Sequence, residues 1–144
     1  MAFAPLILQG AKQIGPGNAG ALVNVDDQVI DFTINATRST VDVPATYGKR
    51  KTFGAGDDTY ELTIRFLQDT DATSLMQIFW TALGDPVGTI NFKASMRDGA
   101  ISATNMAWVG IAVVTGDMIG GTVNAVGVTT VTFPLLDRPT QAIT

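Results

Sequence analysis

Two adjacent carboxylate pairs, Asp26-Asp27 and Asp57-Asp58, are the residues best suited by type and spacing to acid–base chemistry. One member of such a pair can hold a proton while its neighbour stays ionised, because two like charges close together resist full ionisation. Both pairs also flank strand-like runs, where Asp is an ordinary turn residue, and that plainer reading prevails. Asp69-Thr70-Asp71 opens like a calcium loop, but the glycine and bidentate glutamate of such a loop are missing. Any of the three can instead cap a helix. Gly15-Pro16-Gly17-Asn18-Ala19-Gly20 satisfies G-x-G-x-x-G, yet a phosphate site of that kind needs a strand before it and a helix after it. Here a strand-like ALVNV follows, and the segment reads as a loop. The chain has neither histidine nor cysteine, which removes the commonest general base, the commonest metal ligand and any thiolate together. No catalytic, cofactor-binding or metal-binding residue is assigned, and the chain is expected to be no enzyme and to need no cofactor.

What would position such residues is legible from periodicity. Residues 28–36, QVIDFTINA, alternate, with Ile30, Phe32, Ile34 and Ala36 set against Val29, Asp31, Thr33 and Asn35. Residues 59–67, TYELTIRFL, alternate likewise, and both runs read as strands with one buried face. The period then changes. Ala72, Leu75, Met76, Phe79, Trp80 and Leu83 form one helical stripe over residues 71–84, stopped by Gly84 and Asp85-Pro86. That stripe predicts Trp80 in the core and leaves Ile78 off it, as a possible subunit interface. Residues 89–96, TINFKASM, alternate again, and two longer strands are expected over about 101–115 and 122–133, the second closed by Pro134. Residues 1–21 read as an N-terminal arm or loop, with no signal-peptide pattern and no membrane span. Asn35-Ala36-Thr37 matches a glycosylation sequon, which without a secretion signal is read as accidental. A chain of 144 residues fits one domain, so residues 1–144 are expected to form a single, mainly β unit with one helix.

The charge is segregated. Four of the nine Lys and Arg residues, Arg38, Lys49, Arg50 and Lys51, lie between positions 38 and 51, opposed there only by Asp42. The rest of the chain is acidic, the net charge is −4, and charged residues make up only 15% of the total. Three adjacent bases make a poor phosphate track without a supporting basic face. Residues 37–57 are too long for an ordinary hairpin loop, and loops of that length are usually functional or disordered. Val41, Val43, Pro44, Tyr47 and Phe53 give this one apolar surface enough to dock. As a hairpin arm of about ten residues each way it reaches roughly 30 Å. A basic, aromatic-bearing arm on an acidic body complements a second copy of itself.

From about residue 22 to 141 the chain resembles the major tail tube proteins of long-tailed, non-contractile bacteriophages. The resemblance is carried in order by VNVDDQVIDFTINAT, the arm VPATYGKRKTFGAG, YELTIRFLQDTDATSLMQIFWTALG, and IGG followed by VTTVTFPLLDRPT. It implies a β-sandwich or barrel-like tail tube fold with a long inter-strand hairpin arm. It further implies hexameric rings stacked into a tube around a tape-measure protein, capped by tail terminator and tail-tip or baseplate proteins. Such a tube would be part of the virion, assembled in the bacterial cytoplasm, with DNA only in transit and no membrane partner. The chain is expected to lack the Ig-like C-terminal domain of some members. On this reading Val43, Pro44, Tyr47, Lys49, Arg50, Lys51 and Phe53 form the inter-ring arm. The lumen candidates are Asp26, Asp27, Asp31, Asn35, Glu61 and Arg65, with Thr33, Thr63, Thr89, Asn91 and Lys93 on the same polar strand faces. The alternatives are a capsid decoration or head–tail joining protein, and a β-sandwich binding module for which Trp108 is the plausible exposed aromatic.

Overall fold

The computed structural model describes residues 10, 12–16, 22–47, 52–71, 74–85, 88–97 and 99–143. Its strands are β1 (Lys12–Pro16), β2 (Val23–Asn24), β3 (Val29–Val43), β4 (Thr52–Leu67), β5 (Thr89–Ser95), β6 (Ala107–Val113), β7 (Val128–Pro134) and β8 (Thr140–Ala142). One helix, α1 (Leu75–Leu83), lies between β4 and β5. All strand pairs are antiparallel. They form a five-stranded sheet in the order β2-β1-β5-β6-β8 and a three-stranded sheet in the order β3-β4-β7. The architecture is a mainly β, sandwich-like fold with a single helix.

The alternation seen in the sequence is what joins the two layers. Leu62, Ile64 and Phe66 of β4, Ile90 and Phe92 of β5, and Val131 and Phe133 of β7 are buried in one cluster, and Ala94 of β5 is buried as well. Intervening Glu61, Arg65, Thr130 and Thr132 face water. After β7 the chain crosses between layers: Leu135 N–H donates to Tyr60 O at 2.9 Å and Leu136 N–H to Ile111 O at 3.0 Å.

Several expectations are corrected. The N-terminal stretch is not all arm or loop, because β1 sits inside the five-stranded sheet with Ile14 fully buried. Its glycine and proline lie at the strand end, where a missing N–H is tolerated. The expected strand at 101–115 is only β6, since Asn105 Nδ2 donates to the carbonyls of Arg97, Gly99 and Ala100 and holds residues 99–105 out of extended pairing. The strand at 122–133 shrinks to β7, because Asn124 takes a left-handed φ of 62° in a turn closed by Ala125 N–H to Thr122 O. A register shift between Val29 and Asp31 turns Val29 toward the core and leaves Ile30 46% exposed.

The helix is shorter than 71–84 and differently phased. Ser74, not Asp69, Thr70 or Asp71, is the N-cap, accepting from Gln77 N–H and donating its own hydroxyl to Asp69 O at 2.8 Å. Gln28 Oε1 takes a further orphan donor, Leu75 N–H, at 2.8 Å. Leu75, Met76, Ile78 and Phe79 are buried, whereas Trp80 is 59% exposed. At 3.6 residues per turn this stripe is rotated by about 60° from the expected one. Ile78 is therefore core, with little surface left for a neighbour, and Trp80 is the outward residue.

Gly110 illustrates how tightly the core is set. It pairs with Phe92 across β5 and β6, and a Cβ there would lie 2.7 Å from Phe92 Cζ. Phe92 is fully buried and meets Phe32 edge-on at 5.8 Å. Gly110→Ala should therefore cost about 1–3 kcal/mol by overpacking. Urea unfolding measures it, and an unchanged midpoint would show that the ring has room to move.

Candidate assembly surfaces

The site candidates fall on three separate surfaces. The first is the β3–β4 hairpin. Strand β7 covers β4 only from Glu61↔Pro134 to Leu67↔Val128. From Ala36↔Tyr60 outward to Val43↔Thr52 the two strands pair with each other, and among the described residues no third strand joins them. About eight residues per strand at roughly 3.3 Å each make a ribbon on the order of 25 Å long. Residues 36–42 are exposed along it, as are Pro44 and Tyr47, whose ring is fully solvent-accessible. The backbones of Val43 and Phe53 lie in the paired strands, and Lys49, Arg50 and Lys51 fall outside the described residues.

Arg38 does not add to the surplus charge of the ribbon. Its guanidinium donates to both carboxylate oxygens of Asp58, at 2.5 and 2.9 Å. That hydrogen bond holds the Asp58 carboxyl below the usual carboxylate range and raises Arg38. At the register shift between Arg38 and Thr40, Ser39 Oγ accepts from Asp57 N–H at 2.9 Å. Asp57 and Asp58 are thus parts of the hairpin's own framework.

The second surface is the outer face of the three-stranded sheet. Register places Asp31, Arg65 and Thr130 in one row, Thr33, Thr63 and Thr132 in the next, and Asn35, Glu61 and Pro134 in a third. Thr63 and Thr132 hydroxyls share a hydrogen bond of 3.1 Å, and Arg65 approaches Asp31 at 3.8 Å. Four lumen candidates, Asp31, Asn35, Glu61 and Arg65, are brought together here. Asp26 and Asp27 are not; they occupy the turn ahead of β3, where the Asp26 carboxylate accepts from Lys12 N–H. Thr89, Asn91 and Lys93 belong to β5, in the other sheet. Without Lys93 the polar face carries one net negative charge, from Asp31, Glu61 and Arg65.

On α1, Trp80 and Leu83 are exposed. The third surface, not foreseen, is the loop between β6 and β7, from which Met118, Ile119, Val123 and Val126 stand out. Gln68 ties that loop down: its side chain donates to Gly120 O at 2.9 Å and accepts from Gly120 N–H at 3.0 Å. Gln68 Nε2 also reaches Thr129 Oγ1 at 2.7 Å, and that hydroxyl donates to Met118 O at 3.0 Å. Apolar side chains are thus held in water by a polar clasp. In the same loop burial pushes the Asp117 carboxyl up, against the pull of Met118 N–H. Gln77 and Thr81 were the available signal for Trp80, because they mark the wet side of α1 and put its dry side opposite, on Phe79.

Among the described residues no three metal-ligating side chains converge, and no helix is long and apolar enough to cross a membrane. Asp69 of the DTD segment accepts Asp71 N–H at 3.2 Å in the helix entry.

No protein-family model matches the sequence, nor does any curated protein. Among solved structures, the fold is similar to that of a chain in the cryo-EM structure of the anti-feeding prophage (AFP) baseplate, 6-fold symmetrised. The TM-score is 0.64 at 14% identity, covering 98% of this chain and 97% of that one. The two chains share a fold from end to end.

Proposed function

We propose that this protein is a structural subunit of a phage-type tail, six copies closing into a ring and the rings stacking into a tube that conducts DNA. The observation that carries the reading is the unaccompanied β3–β4 ribbon. A two-stranded ribbon alone is marginal in water, and its open edges invite pairing with another chain. An arm of this length on a compact body is best accounted for by a neighbouring ring that receives it. Ring closure would in turn cover the outer edges of β3 and β7. The likeness to a chain of a six-fold assembly fits this geometry.

On this reading the polar face with Asp31, Asn35, Glu61 and Arg65 lines the lumen. One net negative charge per subunit repeats around the ring and repels passing phosphate. The partners are further copies of this chain, a tape-measure protein, a tail terminator and tail-tip or baseplate proteins, all within the virion. A second reading has one specific observation in its favour: the structural neighbour belongs to a baseplate, so the rings would end a tail rather than build its shaft.

Negative-stain microscopy of concentrated protein tests both. Six-fold rings that stack support the tube, and rings that never stack support the baseplate. A monomer at every concentration overturns both. Reversing Lys49, Arg50 and Lys51 to Glu should weaken stacking and leave folding intact, with the change repeated at every arm of a junction. The defect should deepen at low salt, where like charges are less screened. Stacking equal to wild type at low ionic strength would remove the electrostatic role of the arm.

A further inference from the structure

Strand β7 is an edge strand of the three-stranded sheet, and an edge invites pairing unless something covers it. The chain leaving β6 lies along that edge. Ala112↔Leu135 forms an isolated antiparallel bridge, and beside it Leu136 N–H donates to Ile111 O at 3.0 Å. Counting on from the bridge in antiparallel register brings Met118 opposite Thr129. There Thr129 Oγ1 donates to Met118 O at 3.0 Å, so the register set at one end is kept at the other. Gln68 Nε2 donates to the same hydroxyl at 2.7 Å, which leaves the hydroxyl proton for Met118 O. Thr115, Asp117, Thr130 and Thr132 all line the space between the two anchors. Residues 113–117 thus form a strap along β7.

The strap is fastened at its ends and not along its length. Leu135 N–H turns to β4, donating to Tyr60 O, and Leu136 N–H turns the other way, to Ile111. Strand alternation then aims the N–H and C=O groups of Thr130 and Thr132 at the strap. Pro134 shares that parity and has no N–H to offer. Among the described residues, no backbone hydrogen bond joins residues 114–117 to residues 130–134. A complete ladder would hold the strap in place, whereas two end anchors leave it displaceable. A loop laid over an edge is one of the devices by which proteins keep edges from pairing with other chains.

We propose that this strap guards the β7 edge of the free subunit and swings aside when a second copy pairs there. The matching row is the outer edge of β3, on the other side of the same sheet, which among the described residues has no strand beside it. A neighbour's β3 can offer Thr130 and Thr132 the backbone bonds that the strap withholds. The second copy as partner rests on the ring proposed for this protein, whereas the guard rests on the strap alone.

Thr129→Val removes the far anchor. In dilute subunit, amide hydrogen exchange at Thr130 and Thr132 should quicken several-fold, while Val131, turned to β4, keeps its rate. Unchanged rates at both threonines overturn the guard. So does an equal acceleration at Val131, which would mean that β7 loosens as a whole. A second variant locks the strap instead. Thr115→Cys with Thr132→Cys places two thiols opposite each other in the strap register, in a chain with no other cysteine. Oxidation should close the pair within one chain and abolish rings, and dithiothreitol should restore them. A pair that never closes, or rings that form equally well when it is closed, overturns the guard. Wild-type protein without rings at any concentration overturns the second copy as partner, and the guard then stands or falls on the exchange rates.

Discussion

Removing residues 40–55 and joining Ser39 to Gly56 through an Asn-Gly turn should leave a folded subunit that no longer stacks. The cut falls where the pairing register permits it. Thr40↔Ala55 is the first pair beyond the shift at Arg38, and Arg38–Asp58 and Ser39–Asp57 remain to close the shortened hairpin. Val41 is 55% exposed and Tyr47 fully so, and among the described residues the buried cluster draws nothing from the deleted stretch. Loss of the ribbon should therefore change subunit stability by no more than about 1 kcal/mol, since a two-stranded hairpin is marginal alone and loop-closure cost varies slowly with length. Stacking, by contrast, should be abolished, because every arm of every junction is removed together. Circular dichroism and thermal melting read the first effect, and microscopy at high concentration reads the second. A deletion that unfolds the subunit would place the arm in its core. One that stacks normally would leave the ribbon without the role proposed for it.

The parts of this fold legible in sequence are those where one strand face is buried and the other wet. β4, β5 and β7 alternate in the chain because Leu62, Ile64, Phe66, Ile90, Phe92, Val131 and Phe133 meet in one cluster while their neighbours face water. β1 and β8 are too short, at five and three residues, for alternation to rise above background. Their existence is set by the edges they pair with, a tertiary fact that local pattern does not contain. The shift at Val29/Asp31 has the same character, one inserted residue reversing which side chain faces in. For the surfaces, alternation assembled Asp31, Asn35, Glu61 and Arg65 on one face, since they share two paired strands. It joined Lys93 to them wrongly, because polar faces of different sheets look alike along a chain. The helix was legible in kind, but its apolar residues, including Trp80, spread around more than one side, so its phase could be read only from the polar pair Gln77 and Thr81 opposite Phe79.

Phase decides the second large effect, and the two variants that expose it are adjacent. Phe79 is fully buried and stands between Phe66 and Phe133, edge-on to each at 5.3 and 5.0 Å. Those partners come from β4 and β7, so this one ring fastens the helix to the three-stranded sheet. A nine-residue helix is too short to persist by itself and depends on that packing. Phe79→Ala removes the ring and leaves a cavity, at a typical cost of about 3–5 kcal/mol, a large share of a domain's usual 5–15 kcal/mol. Trp80→Ala removes a larger side chain that is mostly in water, and should change subunit stability by less than about 1 kcal/mol. Ile78→Ser belongs with Phe79, because it puts a hydroxyl into the buried cluster and should destabilise rather than spare the subunit. Urea unfolding of dilute protein ranks the three, and ring counts by microscopy complete the comparison. If the exposed Trp80 meets a neighbouring copy, its alanine variant melts normally and forms fewer rings. A Trp80→Ala subunit that unfolds as readily as Phe79→Ala would return the tryptophan to the core and undo the phase assigned to the helix.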